Sequence, residues 1–157
     1  MRIIGIDPGT RYLGWGIIDL EDGRRIIPPG GCGVLKSKKD SVPERIYELW
    51  RGLSIVRKTW APDVCAIEVA FIYQNPQTTM RLAEARGACF IVMAGLPIHQ
   101  YDNNKIKKAL TGKGNATKEQ LGVRVKKILG IPKAYSVPED ALDALGIAIY
   151  HHKQVMG

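Results

Sequence analysis

The sequence predicts an α/β fold that starts from an antiparallel meander, on three observations. Arg2 to Ile6 is a short apolar run ending in Asp7-Pro8-Gly9-Thr10, the pattern of a buried strand closed by turn residues. A second run, Leu13 to Leu20, follows at hairpin distance. Further on, strand-like apolar runs alternate with stretches whose apolar residues recur at helical spacing.

Size and composition narrow the class. A chain of 157 residues, 45% hydrophobic and 24% charged, can bury a sizeable core, and a single domain over 1–157 is expected. No apolar run has the length of a membrane span, so no membrane association is expected. Met1-Arg2 leads directly into the first strand, with no sign of a signal peptide. Cys32, Cys65 and Cys89 are odd in number, far apart and in no Cys-x-x-Cys pattern. They read as small buried thiols in a reducing compartment, which points to the cytoplasm. The formal net charge of +8 favours a polyanionic partner such as nucleic acid, because Lys and Arg gain free energy by releasing counterions from phosphates.

The elements follow in order. Glu21-Asp22-Gly23 is a turn, and a third meander strand is expected around Cys32 to Leu35. Gly30-Gly31-Cys32-Gly33 lacks the Gly-Lys-Ser/Thr ending of a phosphate loop, so a bulged strand is favoured. Ser41-Val42-Pro43-Glu44 is a capping box, and Ile46, Leu49, Trp50, Leu53 and Val56 form the core stripe of the helix after it. Val64 to Ile67 is a buried strand ending in Glu68. In the loop that follows, Phe71 and Tyr73 stand among polar residues, a costly exposure unless they stack on something such as unpaired bases.

Thr78 to Ala94 is a helix with Met80, Ala83, Ala88, Ile91 and Val92 along it. Its small residues suit either a tight core or a contact between subunits. Pro97 to Tyr101 is a short strand in which His99 reads as structural, and Asn103 to Leu110 is a short helix carrying Lys105, Lys107 and Lys108. Thr111-Gly112-Lys113-Gly114-Asn115 is a basic turn, and lysines around two glycines favour close approach of phosphate to the backbone. Thr117-Lys118-Glu119-Gln120 caps the next helix, which runs to Leu129. Ser136-Val137-Pro138-Glu139 repeats the capping-box pattern before the last helix, whose His151 and His152 lie near an end expected to fray.

Four acids stand out. Asp7 alone is read equally well as a turn cap or as a carboxylate on a rigid strand end placed to hold a cation. Glu68 repeats the placement, and a Glu ending a buried strand is unfavourable without a cationic neighbour. Asp140 and Asp143 are three apart, hence on one helical face, near the positive end of the helix dipole. If these four converge, they raise one another's pKa. Hard oxygen ligands without paired Cys or His point to Mg²⁺, with Mn²⁺ substituting, and up to two ions per subunit. Two such ions activate a water and stabilise the leaving oxygen of a phosphodiester. The residues therefore point to metal-dependent hydrolysis of nucleic acid.

Ile4-Gly5-Ile6-Asp7-Pro8-Gly9-Thr10-Arg11, Ala66-Ile67-Glu68, Ala85-Arg86-Gly87, Gly112 to Gln120 and Asp140-Ala141-Leu142-Asp143-Ala144-Leu145 together resemble the RuvC family of bacterial Holliday junction resolvases, over essentially the whole chain. The resemblance implies a ribonuclease H-like fold: a mixed five-stranded sheet, antiparallel in its first three strands and then parallel, with helices on both faces. It implies an endonuclease of DNA recombination and repair, a homodimer that makes paired symmetric nicks in a four-way DNA junction with Mg²⁺. It also implies a RuvA-RuvB branch-migration partner. The family's acidic quartet falls on Asp7, Glu68, Asp140 and Asp143, and its basic catalytic positions on Lys107 and Lys118. Phe71 matches the aromatic that stacks on opened bases, and the helix around Thr79 to Val92 the dimer contact. Tyr73, Asn75, Arg81, Lys105, Lys108 and Lys113 are further expected DNA contacts. Leu142 departs from the pattern, standing where the family usually has a small Ala.

Two other readings account for less. A non-catalytic junction binder does not need four intact acids. An ATP-binding, kinase-like reading of Asp7-x-Gly9-Thr10 needs a second domain and a second glycine-rich phosphate motif.

Overall fold

The computed structural model describes residues 1–69, 72 and 74–156, apart from the side chain of Met156. The expected aromatics Phe71 and Tyr73 lie outside the described residues. The strands are β1 (Arg2–Asp7), β2 (Tyr12–Glu21), β3 (Arg24–Ile26), β4 (Cys32–Lys36), β5 (Val64–Glu68) and β6 (Ile98–Tyr101). The helices are α1 (Val42–Trp60), α2 (Pro76–Met93), α3 (Asn103–Thr111), α4 (Lys118–Leu129) and α5 (Glu139–Met156).

The sheet runs β3-β2-β1-β5-β6, with β4 pairing β2. β2 is antiparallel to β1, β3 and β4, whereas β1-β5 and β5-β6 are parallel. This is the mixed sheet expected, with one refinement. The return strand of the meander is split, so β3 and β4 occupy different lengths of the same edge of β2. Pro28-Pro29 lies in the gap, and proline has no N–H to give a ladder. The chain rejoins β2 where the Ile17 N–H donates to the Gly31 carbonyl at 2.6 Å.

Helices cover both faces. Ile4, Ile6, Ile17, Cys65 and Ile67 pack with Leu49 and Leu53 of α1 and Cys89, Val92 and Met93 of α2. Ile3, Ile18, Val64 and Ala66 pack with α3, α4 and α5 through Ile106, Leu121, Val125, Leu145 and Ile149. The alternation along β1 and β5 assigns one set to each face, as the pleat requires.

Several local expectations change. Ser41 caps α1 and Thr117 forms the full capping box of α4. The Ser136 box does not form. α5 starts at Glu139, with the Leu142 N–H donating to the Pro138 carbonyl, and a residue before proline, here Val137, is steered away from helical angles. Trp50 lies at the margin of the core, not within it, stacked on Tyr47 with ring centroids 5.9 Å apart. On α2 the small Ala85 and Cys89 face inward, and Met80 and Ile91 face out. His151 and His152 are buried within α5 and do not dangle from a frayed end. The Tyr101 hydroxyl lies 2.7 Å from His151 Nδ1. Burial, with His99 beside it, pushes the His151 pKa down to about 4.

Candidate active site

β1 and β5 run parallel with Ile6 opposite Ile67, so Asp7 and Glu68 leave the sheet side by side. Ile3 and Gly5 face α5, and so do Val64 and Ala66. Continuing the alternation, both carboxylates emerge on the α5 face. α5 brings the other two acids to meet them. It lies against the sheet because the strand residues beneath it are glycines. A Cβ at Gly5 would overlap the Ala144 carbonyl, one at Gly14 the Asp140 carbonyl, and one at Gly16 the Leu145 side chain. Gly14 is also the β2 partner of Asp7. The close approach therefore sets Asp140 over the strand end that carries Asp7.

Ligand oxygens of Asp7, Asp140 and Asp143 all lie within 4.8 Å of one another. Glu68 stands beside Asp7 and shares with the trio a cleft of about 310 Å³, also lined by Lys118, Tyr12, Arg86 and Asn103. Burial, and then the neighbouring Glu68 and Asp143, push the Asp7 pKa well above the usual carboxylate range. Burial also raises Glu68 and Asp143.

Lys118 supplies this cluster with a cation from the protein itself. Lys118, the first residue of α4, sets its Nζ 3.0 Å from Asp143 Oδ2 and 3.6 Å from Asp140 Oδ1. Burial opposes its charge, but the hydrogen bond to Asp143 and the surrounding carboxylates outweigh it and hold Lys118 protonated above the ordinary lysine range. A cation in a first helical turn opposes the helix dipole, so its partner acids explain its position better than the helix does.

The donor set fits a divalent ion. All the convergent atoms are carboxylate oxygens, the choice of hard cations. Asp143 Oδ1 is buried and has no hydrogen-bond partner among the described residues, a costly state that an ion would relieve. Asp7, Asp140 and Asp143 would hold the ion, with Glu68 adjacent.

The other expected residues are spread wider. Lys107 is half-buried on α3 and is not on the cleft wall, and Lys105, Lys108 and Lys113 are exposed nearby. Asn75 caps α2, its Oδ1 accepting from the Gln77 N–H at 2.9 Å, and Arg81 is exposed on the same helix. Leu142 fits because Gly122 faces it across the α4–α5 contact.

Three residues at the cleft have no role among the expectations above. Arg86 Nε donates to the Glu68 carbonyl at 3.0 Å and its Nη2 to Gln100 Oε1 at 2.6 Å, holding the end of β5. Asn103 lines the cleft with Glu68 and favours the charged form of its carboxyl. Tyr12 borders the cleft from the start of β2. Arg86 had a readable signal in the Ala85-Arg86-Gly87 motif, and Asn103 a weaker one as the first residue of the helix that follows the last strand.

A prediction follows from the raised carboxyls. A folded state that holds protons more tightly than the unfolded chain gains stability at low pH and loses it as pH rises through the folded pKa values. In EDTA, the melting temperature should fall as pH rises from the ordinary carboxylate range towards neutrality. Asp7→Asn should flatten that fall. Identical pH profiles for the two proteins would contradict it.

The comparisons agree with the geometry. The family model for crossover junction endodeoxyribonuclease RuvC matches residues 3–151. The crossover junction endodeoxyribonuclease RuvC of Geotalea uraniireducens is 38% identical over 153 residues, covering 96% of this chain and 88% of that protein. The solved structure of Thermus thermophilus RuvC has a TM-score of 0.84 at 30% identity, over 99% of this chain and 96% of that one. A second structure, of T. thermophilus RuvC in complex with Holliday junction substrate, has a TM-score of 0.84 at 28% identity, over 100% and 97% of the two chains.

Proposed function

The chain belongs to the crossover junction endodeoxyribonuclease RuvC family, and from that premise we propose how its own residues serve a Holliday junction resolvase. The observation that carries the reading is the convergence of Asp7, Asp140 and Asp143 beside Glu68 on one side of a basic surface. Asp7, Asp140 and Asp143 would hold Mg²⁺, with Glu68 adjacent, and the bound ion would supply Lewis-acid chemistry for phosphodiester hydrolysis. Mn²⁺, with the same oxygen preference, substitutes, and the four carboxylates have donors for up to two ions per subunit.

The chain's own residues do the rest. Arg86 fixes the end of β5 that carries Glu68, and the glycine-lined contact with α5 fixes Asp140 and Asp143. Lys118 balances the acids and stands where it can meet charge developing on the phosphate. Lys107 extends the positive field from α3. A groove of about 850 Å³ runs on from Lys118 past Lys126, Lys127 and Lys133, and offers DNA a cationic path. Asn75, Arg81, Lys105, Lys108 and Lys113 complete the basic surface, and Phe71 and Tyr73 are the candidates for stacking on opened bases.

The protein acts as a homodimer, so that two clefts make symmetric nicks, and RuvA-RuvB is its branch-migration partner. The reducing cytoplasm suits its free Cys32, Cys65 and Cys89. No described helix is long and apolar enough to cross a membrane. The outer face of α2 supports the dimer: Met80 and Ile91 are exposed, and open space lies over Gly87 between them. Light scattering at micromolar concentration should give a dimer, and Ile91→Arg should give a folded monomer. A wild-type monomer, or an unaffected Ile91→Arg dimer, would contradict that contact.

The test of the function is an immobile four-way junction incubated with Mg²⁺ beside ordinary duplex. Paired symmetric nicks in the junction alone are expected. Equal cutting of both substrates, or of neither, would overturn the reading.

A further inference from the structure

Tyr12 is the one aromatic among the cleft-lining residues described above, and the residue is 54% exposed. Its place on the sheet is fixed. Gly14, Gly16 and Ile18 of β2 face α5, so Tyr12 lies on the same face, one pleat repeat beyond Gly14. Gly14 pairs with Asp7. The Tyr12 ring therefore stands past the end of α5, on the acid side of the sheet.

The cross-strand partner of Tyr12 is Lys36, and its Nζ lies 6.0 Å from the ring centroid. The backbone on both sides is pinned. The Ser37 N–H donates to the Arg11 carbonyl at 2.9 Å, and the turn at Gly9 passes so close that a Cβ there would overlap the Tyr12 carbonyl. Arg11, Lys38 and Lys39 are exposed around this strand end. It is thus a second basic rim, built from the β2–β4 strand end and separate in the chain from the α3–α4 lysines.

We propose that this β2–β4 end is the second wall of the DNA path, with Tyr12 stacking on a base beside the cut phosphate and Lys36 holding a phosphate of the same strand. The inference rests on the junction-nuclease reading above. Every base presents a π-face, so an exposed ring held rigidly at a nuclease cleft binds without sequence preference. An ammonium beside the ring adds a phosphate contact and a salt dependence. Tyr12 is a positioning residue: it orients the strand and leaves bond cleavage to the acids.

The experiment measures junction affinity by fluorescence anisotropy in EDTA, across a salt series, alongside Mg²⁺ nicking by the wild-type protein. Tyr12→Leu and Tyr12→Ala should each weaken binding by at least about fivefold, and Tyr12→Phe should stay near wild type. Lys36→Gln should reduce the slope of log affinity against log salt by about one. Melting temperatures should stay close to wild type, because the ring is exposed. A Tyr12→Leu protein with wild-type affinity, or a Lys36→Gln protein with an unchanged slope, overturns this inference alone if the wild type still nicks the junction. A wild type that nicks no junction overturns the proposed function and this inference together.

Discussion

Asp7→Asn should lower Mg²⁺-dependent nicking of a four-way junction by about 10³-fold or more while leaving junction affinity nearly intact. The substitution keeps the size of the side chain and removes one of three carboxylates that lie within 4.8 Å of one another. A carboxylate that holds a catalytic ion supports several kcal/mol of transition-state charge neutralisation, and about 4 kcal/mol is a thousandfold in rate. Affinity should persist because phosphate contacts come from lysines elsewhere on the surface. In EDTA at neutral pH the variant should also melt higher than wild type, since one buried member of a repelling cluster is gone. Nicking within tenfold of wild type would remove Asp7 from the chemistry.

Gly14→Ala should damage the same site from beneath. The added methyl would overlap the Asp140 carbonyl, which is backbone and cannot swing aside. α5 must then lift from β2, at a cost of about 2 kcal/mol or more by analogy with overpacked cores. That corresponds to a melting temperature lower by about 5 °C or more for a chain of this size. Lifting α5 also moves Asp140 and Asp143 away from Asp7. Nicking per folded molecule should fall by about tenfold or more, since a misplacement near 1 Å costs up to about 10²-fold. Unchanged melting and unchanged nicking would show that α5 does not depend on that glycine.

These variants mark what the chain discloses unfolded and what it withholds. Asp7 and Glu68 were legible because each ends an apolar run, and strand periodicity then dictates where the next side chain emerges. Asp140 and Asp143 were legible because a spacing of three shares a helical face. Their meeting was a different matter. It depends on Gly5, Gly14 and Gly16 lying under Ala144, Asp140 and Leu145, a contact between distant segments that no local pattern announces. The split of the third strand was foreshadowed by Pro28-Pro29, whose consequence for β2 is tertiary.

Other misses have the same origin. His151 and His152 sit close to the chain end, yet α5 runs through the core and buries them. Met80 and Ile91 fit the helical period, but the small residues of α2 pack against α1 and turn the large ones outward. Tyr12 lies just before the expected second strand, Leu13 to Leu20, and its place at the cleft depends on Gly14 and Gly16 facing α5.

The most direct measurement is a crystal soaked in Mn²⁺, with anomalous scattering used to locate the ion. The account expects a peak within coordination distance, about 2.2 Å, of carboxylate oxygens from Asp7 and from Asp140 or Asp143. Lys118 should then have moved off Asp143. A Mn²⁺ peak elsewhere, with Lys118 still seated between Asp140 and Asp143, would contradict it.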